Sequence, residues 1–150
     1  MRRRARIRTA LMSLAAGALA LTACGGGGSS GGGDPEVLID ASYVVTSFTV
    51  GDPQRQVQGP VTISFTADSI SVDTPCNDMG ATVEYSPTTL TVGPVAATEM
   101  ACEPALMEQD QLIADVLAGN PTWTVADGIL TLTAGSTAIT ADSSADGVVP

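Results

Sequence analysis

The sequence contains no histidine and no lysine. Without imidazole, the usual Ser–His and Cys–His nucleophile arrangements and the imidazole metal sites are excluded. No Gly-x-Ser-x-Gly elbow, phosphate loop or dinucleotide fingerprint is present either. Aromatic residues are few: Tyr43, Phe48, Phe65, Tyr85 and Trp123. A core drawn mainly from valine, isoleucine and leucine leaves a narrow interior, so a roomy internal ligand cavity is not expected. Positive charge is scarcer still. Of six arginines, Arg2, Arg3, Arg4, Arg6 and Arg8 crowd the start, and Arg55 alone follows. All 16 acidic residues lie beyond them, so residues 24–150 carry one base and a formal charge of −15. Nucleic acid binding draws its affinity from lysine and arginine, so that class is excluded. The same charge disfavours lying flat on anionic lipid. It reads as a solubility device in preference to an acidic recognition surface.

Long apolar runs are also missing. The longest covers residues 10–23, about fourteen residues, short of the roughly 20 needed to span a bilayer. Behind its arginine-rich head it has the plan of a secretory signal. It ends Leu21-Thr22-Ala23-Cys24, which looks like a bacterial lipobox. Residues 1–23 are therefore expected to be a lipoprotein signal. Cys24 would carry an acyl anchor to the extracytoplasmic face of the cell membrane; the alternative is an ordinary cleaved signal with Cys24 incidental. Residues 24–35 are rich in glycine and serine and are expected to form a flexible linker spanning on the order of 17 Å. With Cys24 assigned to lipid, Cys76 and Cys102 remain as an even pair in an oxidising compartment. A disulfide is expected; two free thiols or a reactive thiolate are the alternatives. Nothing basic stands ready to lower a thiol pKa.

From residue 36 onward the patterns are short. Ser42–Val50 has strand composition, and residues 53–58 read as loop. Val61, Ile63 and Phe65 alternate with small polar residues, the period of a strand with one buried face. Further strands are expected at 70–72, 81–85, Leu90–Val92, Thr122–Ala126, 129–132 and 137–140. Asp127-Gly128 is a two-residue hairpin signal. Pro104 suits a first helical position. Leu106, Ile113, Val116 and Leu117 then recur at helical spacing until Gly119 and Pro121 stop the helix. Seven or eight short strands and one helix of about fifteen residues predict a mainly β fold over residues 36–141. A small barrel or strongly curved antiparallel sheet is expected, with residues 142–150 as a disordered tail.

The order of certain motifs adds to this. Cys76-Asn77 is followed by Gly80, then by Thr98-Glu99-Met100-Ala101-Cys102, then by Met107-Glu108-Gln109 opening the helix. This arrangement resembles the META domain, the HslJ-like heat-shock lipoprotein family. The resemblance implies a lipocalin-like meander interrupted by a helix, stress- or envelope-related roles and no accepted catalytic reaction. Asn77, Gly80, Thr98, Met100 and Glu108 are the positions it singles out. The family's usual glycine before the Cys-Asn pair is Pro75 here, which fixes φ near −65° and removes an N–H.

Other chemistry is weaker. Glu84, Glu99, Glu103 and Glu108 offer carboxylates for glycoside hydrolysis, but nothing in the sequence faces two of them across a cleft. Asp73, Asn77 and Asp78 fail the calcium-loop spacing and read as a solvated turn. Asn77 is expected to satisfy backbone groups at a bend, Thr98 and Met100 to fix the strand-to-helix crossing, and Trp123 to anchor the core. The expected function is non-enzymatic, without cofactor or metal: a monomeric, membrane-tethered protein meeting another envelope protein. A small-molecule or glycan module using the barrel mouth is the second reading, and a cell-wall hydrolase the third.

Overall fold

In the computed structural model, which describes residues 33–143, alternation becomes a curved antiparallel sheet. Residues 1–23, Cys24, linker residues up to 32 and tail residues 144–150 lie outside the described part. The strands before the helix are β1 (Ser42–Val50), β2 (Gln54–Arg55), β3 (Thr62–Phe65), β4 (Ser69–Asp73), β5 (Asp78–Tyr85), β6 (Leu90–Val92) and β7 (Ala96–Ala97). Helix α1 (Pro104–Ala118) leads to β8 (Thr122–Ala126), β9 (Ile129–Ala134) and β10 (Thr137–Ser143). Eight of these strands pair in the order β6-β5-β4-β3-β1-β10-β9-β8, while β2 lies on β1 and β7 on β5. The fold is mainly β, a nearly closed barrel with one helix.

Closure rests on a short seam between β6 and β8. Thr89 bridges Thr122, Leu90 N–H donates to Pro121 O at 2.9 Å, and Trp123 N–H donates to Thr88 O at 3.0 Å. Asn120 adds a bond from its side chain, Oδ1 accepting from Val92 N–H at 2.8 Å. Asn120 also takes the left-handed conformation after the helix, φ 52°, which asparagine tolerates better than most residues. Gly119 ends the helix as expected, with φ −78°. Its role is spatial, since an added Cβ would stand 2.9 Å from Ala134 Cβ.

The interior is filled by side chains. Phe48, Phe65, Ile63, Ile70, Leu90, Trp123, Leu130, Leu132 and Ile139 come from the strands, and Ile113, Val116 and Leu117 from α1. Helix α1 packs Ile113, Val116 and Leu117 onto this cluster. The chain over 33–40 packs on it as well: Gly33 sits against the Trp123 ring, its N–H donates to Pro87 O at 2.8 Å, and Leu38 is fully buried. Trp123 is a core anchor, with Nε1–H donating to Ser86 O at 2.9 Å.

Several expectations are corrected. The loop over 53–58 contains β2, because β3 leaves β1 after Val44 and Gln54–Arg55 take over that edge at Thr49 and Phe48. Of the linker expected up to residue 35, residues 33–35 are ordered, since Gly33 is hydrogen-bonded and Pro35–Val37 form a 3-10 turn under an Asp34 cap. Of the tail expected from residue 142, Asp142 and Ser143 belong to β10. Asp142 pairs with Val44 and Ile129, and Ser143 with Tyr43. In β1 a register shift between Val45 and Ser47 breaks the alternation, so Ser47 and Phe48 are both buried.

Two tyrosines give the fold a sensitivity to alkali. Tyr43 Oη donates to Val37 O at 3.4 Å and Tyr85 Oη to Thr66 O at 2.5 Å. Burial pushes the Tyr43 pKa up. Burial, then the negative charges of Asp68 and Asp40, push Tyr85 up. The folded state thus holds these protons more tightly than the unfolded chain, whose tyrosines titrate near 10. The resulting stability is complete below about pH 10 and is lost as pH rises through the higher folded values. No lysine titrates in that range. The denaturant midpoint should therefore fall steeply above about pH 10, and Tyr85→Phe should make that fall shallower. An unchanged slope in both Tyr43→Phe and Tyr85→Phe would remove the tyrosine explanation.

Candidate functional site

Helical spacing places Gln109 and Asp110 in the same stripe as Leu106 and Ile113, so α1 carries two polar residues into its buried face. They are only 4% and 6% exposed. Gln109 imitates a strand: its Oε1 accepts from Gln58 N–H at 2.7 Å and its Nε2 donates to Gln58 O at 3.2 Å. Asp110 Oδ1 accepts from Thr74 Oγ1 at 2.8 Å, and Oδ2 accepts from Asn77 Nδ2 at 2.9 Å. Both partners are neutral. The one arginine among the described residues, Arg55, is engaged elsewhere, in a surface ion pair with Glu108, where such pairs contribute little.

Asn77 joins three parts of the chain. Its Nδ2 reaches Asp110 on the helix and also Cys76 Sγ, at 3.1 Å. Its Oδ1 accepts from Thr98 Oγ1 at 2.9 Å and from Met100 N–H at 2.8 Å. Backbone donors and a carboxylate on opposite sides fix which end of the amide is nitrogen. Thr74 Oγ1 accepts from the N–H groups of Cys76 and Asn77 at 3.1 and 2.9 Å, tightening the bend. Thr98 completes the join, since its Oγ1 accepts from Asp78 N–H at 3.1 Å and its own N–H donates to Asp78 O at 3.0 Å. The Cys76–Cys102 disulfide, with Cα atoms 6.0 Å apart, fastens the far end of the 98–102 segment. Pro75 packs its ring against Gly59.

Beside this knot runs a cleft of about 420 Å³ between α1 and the 97–101 segment. Buried Met79 forms its floor, exposed Met100 and Met107 its rims, and Glu99, Asp110, Gln111 and Asn77 its polar positions. Met100 and Met107 are 62% and 49% exposed, among the largest exposed apolar side chains of the described residues.

The residues expected from the sequence separate into two groups. Asn77, Thr98, Met100, Cys76 and Cys102 meet at the knot. Glu108 does not join them and turns to Arg55 instead. Gly80 lies within β5 between Ser71 and Ala96. A Cβ there would meet nothing closer than Ile70 O, at 3.8 Å, so sterics do not demand glycine. Asp73 and Asp78 flank the bend, but the Asn77 oxygen is already taken by two donors. Thr74, Gln109 and Asp110 were not singled out beforehand. Two polar side chains at apolar positions of the helical stripe were the signal available for the helix pair.

Asn77→Ala strands a buried carboxylate oxygen and a backbone N–H, and should lower unfolding free energy by about 2–3 kcal/mol. Asn77→Asp should cost more at neutral pH, because it sets a second carboxylate against Asp110. Thiol titration of the denatured protein should find neither Cys76 nor Cys102 free. Replacing both with serine should cost about 3–4 kcal/mol in the chain-entropy account of a loop this long. Denaturation curves measure both effects, and a neutral Asn77→Ala would show the hub to be dispensable.

The comparisons with known proteins agree with this architecture. No curated protein matches the chain. A solution NMR structure of a protein from Burkholderia xenovorans is 17% identical with a TM-score of 0.63, covering 80% of this chain and 94% of that one. At that identity the likeness is one of fold. A second NMR structure is 29% identical with a TM-score of 0.60, covering 73% of this chain and 93% of the other. The family model described as the META domain matches residues 36–146. With that match spanning most of the sequence, over the same strands and helix that build the knot, the chain belongs to the META domain family.

Proposed function

We propose that this protein is a non-enzymatic META-domain module of the bacterial cell envelope. Cys24 tethers it by an acyl chain on the extracytoplasmic side, and it works by contact with another protein in envelope maintenance under stress. The observation that carries this reading is where open space lies. The barrel interior is packed with side chains of the described residues. The methionine-rimmed cleft lies on the outside, between the helix and the disulfide-held segment. Methionine surfaces adapt to varied apolar partners, and an external groove suits a protruding side chain. A second reading keeps a small ligand in the same cleft, whose volume falls within the range of ligand sites.

A photo-crosslinking residue at position 100 should give one discrete protein adduct in cells, and the same residue at position 44, an exposed site on β1, should not. Identical adduct patterns at both positions would count against contact through the cleft. Cys24→Ala should move the protein from the membrane fraction to the medium, and continued membrane retention would refute the acyl tether.

A further inference from the structure

The cleft is acidic, and no cationic side chain of the described residues lines it. Asp110 is held by two neutral donors, so its charge is stabilised locally but not cancelled. Glu99 stands exposed at the same cleft. Among the described residues only Arg55 is cationic, and it is spent on Glu108. Beyond residue 24 the chain offers no other base. Negative charge beside apolar, low-dielectric walls attracts cations more strongly than the same charge spread over open surface. The apolar part of the cleft is supplied by Met79, Met100 and Met107 with small alanines between them. A ligand matching both halves carries an apolar side chain and positive charge together. Anionic lipid headgroups, acidic glycans and nucleic acid fail on charge. A second copy of residues 24–150 fails too, since its one base, Arg55, is paired with Glu108. A space of about 420 Å³ holds one or two side chains, so a short segment fits where a folded face would not.

Building on the reading that the protein works by protein contact, we propose that the cleft receives a cationic segment of a polypeptide. One apolar side chain seats between Met100 and Met107, and flanking lysine or arginine residues meet Glu99 and Asp110. The methionines supply adaptable contact area, and the acids supply selection by sign and a faster encounter.

The test uses the full secreted chain and a fluorescent 12-residue peptide of alternating leucine and lysine, read by anisotropy. Matched peptides replace every lysine with glutamate or every leucine with serine. The leucine–lysine peptide should bind, the glutamate peptide should not, and the serine peptide should bind about tenfold more weakly. The paired change Met100→Ser with Met107→Ser should weaken binding about tenfold, and Glu99→Gln should weaken it several-fold. Glu84→Gln, an exposed acid on β5 away from the cleft, should leave it unchanged. Raising salt from about 50 to 300 mM should weaken binding several-fold. Equal losses for Glu84→Gln and Glu99→Gln would expose diffuse attraction and overturn the site. Equal affinity for lysine and glutamate peptides would overturn the charge argument. No peptide binding, with a discrete adduct still formed from position 100, would reject the cationic partner and leave protein contact standing. Loss of both would reject the two readings together.

Discussion

A carboxylate buried without a cation has to be satisfied by neutral donors or it opposes folding. Asp110 meets that demand through Thr74 and Asn77, one donor for each oxygen. The rest of the architecture follows from this arrangement. Thr74 and Asn77 sit at the bend between β4 and β5, so satisfying Asp110 fixes where the helix lies against the sheet. The other end of the Asn77 amide then fixes the 98–100 segment, and the disulfide holds that segment's exit into the helix. In a chain with no lysine or histidine, an ion pair was never an easy solution for this helix. Charge-assisted bonds from neutral groups are strong enough to replace it.

Much of the barrel was legible in the sequence because its strands keep strict alternation or carry decisive turn residues. Val61, Ile63 and Phe65 point inward as their spacing requires. Asp127 and Gly128 both take positive φ, 51° and 79°, as a two-residue hairpin turn demands. Pro104 opens the helix as expected. What was illegible depended on partners remote in sequence. Gln54–Arg55 form a strand only because β1 has an unoccupied edge there, and Ala96–Ala97 only because β5 extends past β6. The bulge at Val45–Ser47 likewise belongs to the pairing with β10.

The candidate site was half legible. The motif residues Asn77, Thr98 and Met100 mark one side of the knot, and the cysteine pair its fastening. The helical side was hidden because an aspartate within an amphipathic stripe looks like a surface residue until its donors are known. Glu108 shows the converse. It stands one residue from Gln109 in sequence, yet the helical turn carries it to the solvent side, toward Arg55. Neighbours along the chain need not be partners in space.

The strand β5 also sets a distance. Asn77 and Met79 stand where β5 begins, beside the cleft, whereas Gly33 is bound to Pro87 just beyond its far end. From Met79 to Tyr85, at about 3.3 Å per residue, the strand spans roughly 20 Å. The polypeptide leading into the domain therefore arrives on the side opposite the methionine rims. A module held from that side would look outward from whatever surface holds it. The cleft would stand more than two screening lengths of about 8 Å away, beyond most of the reach of that surface's charge.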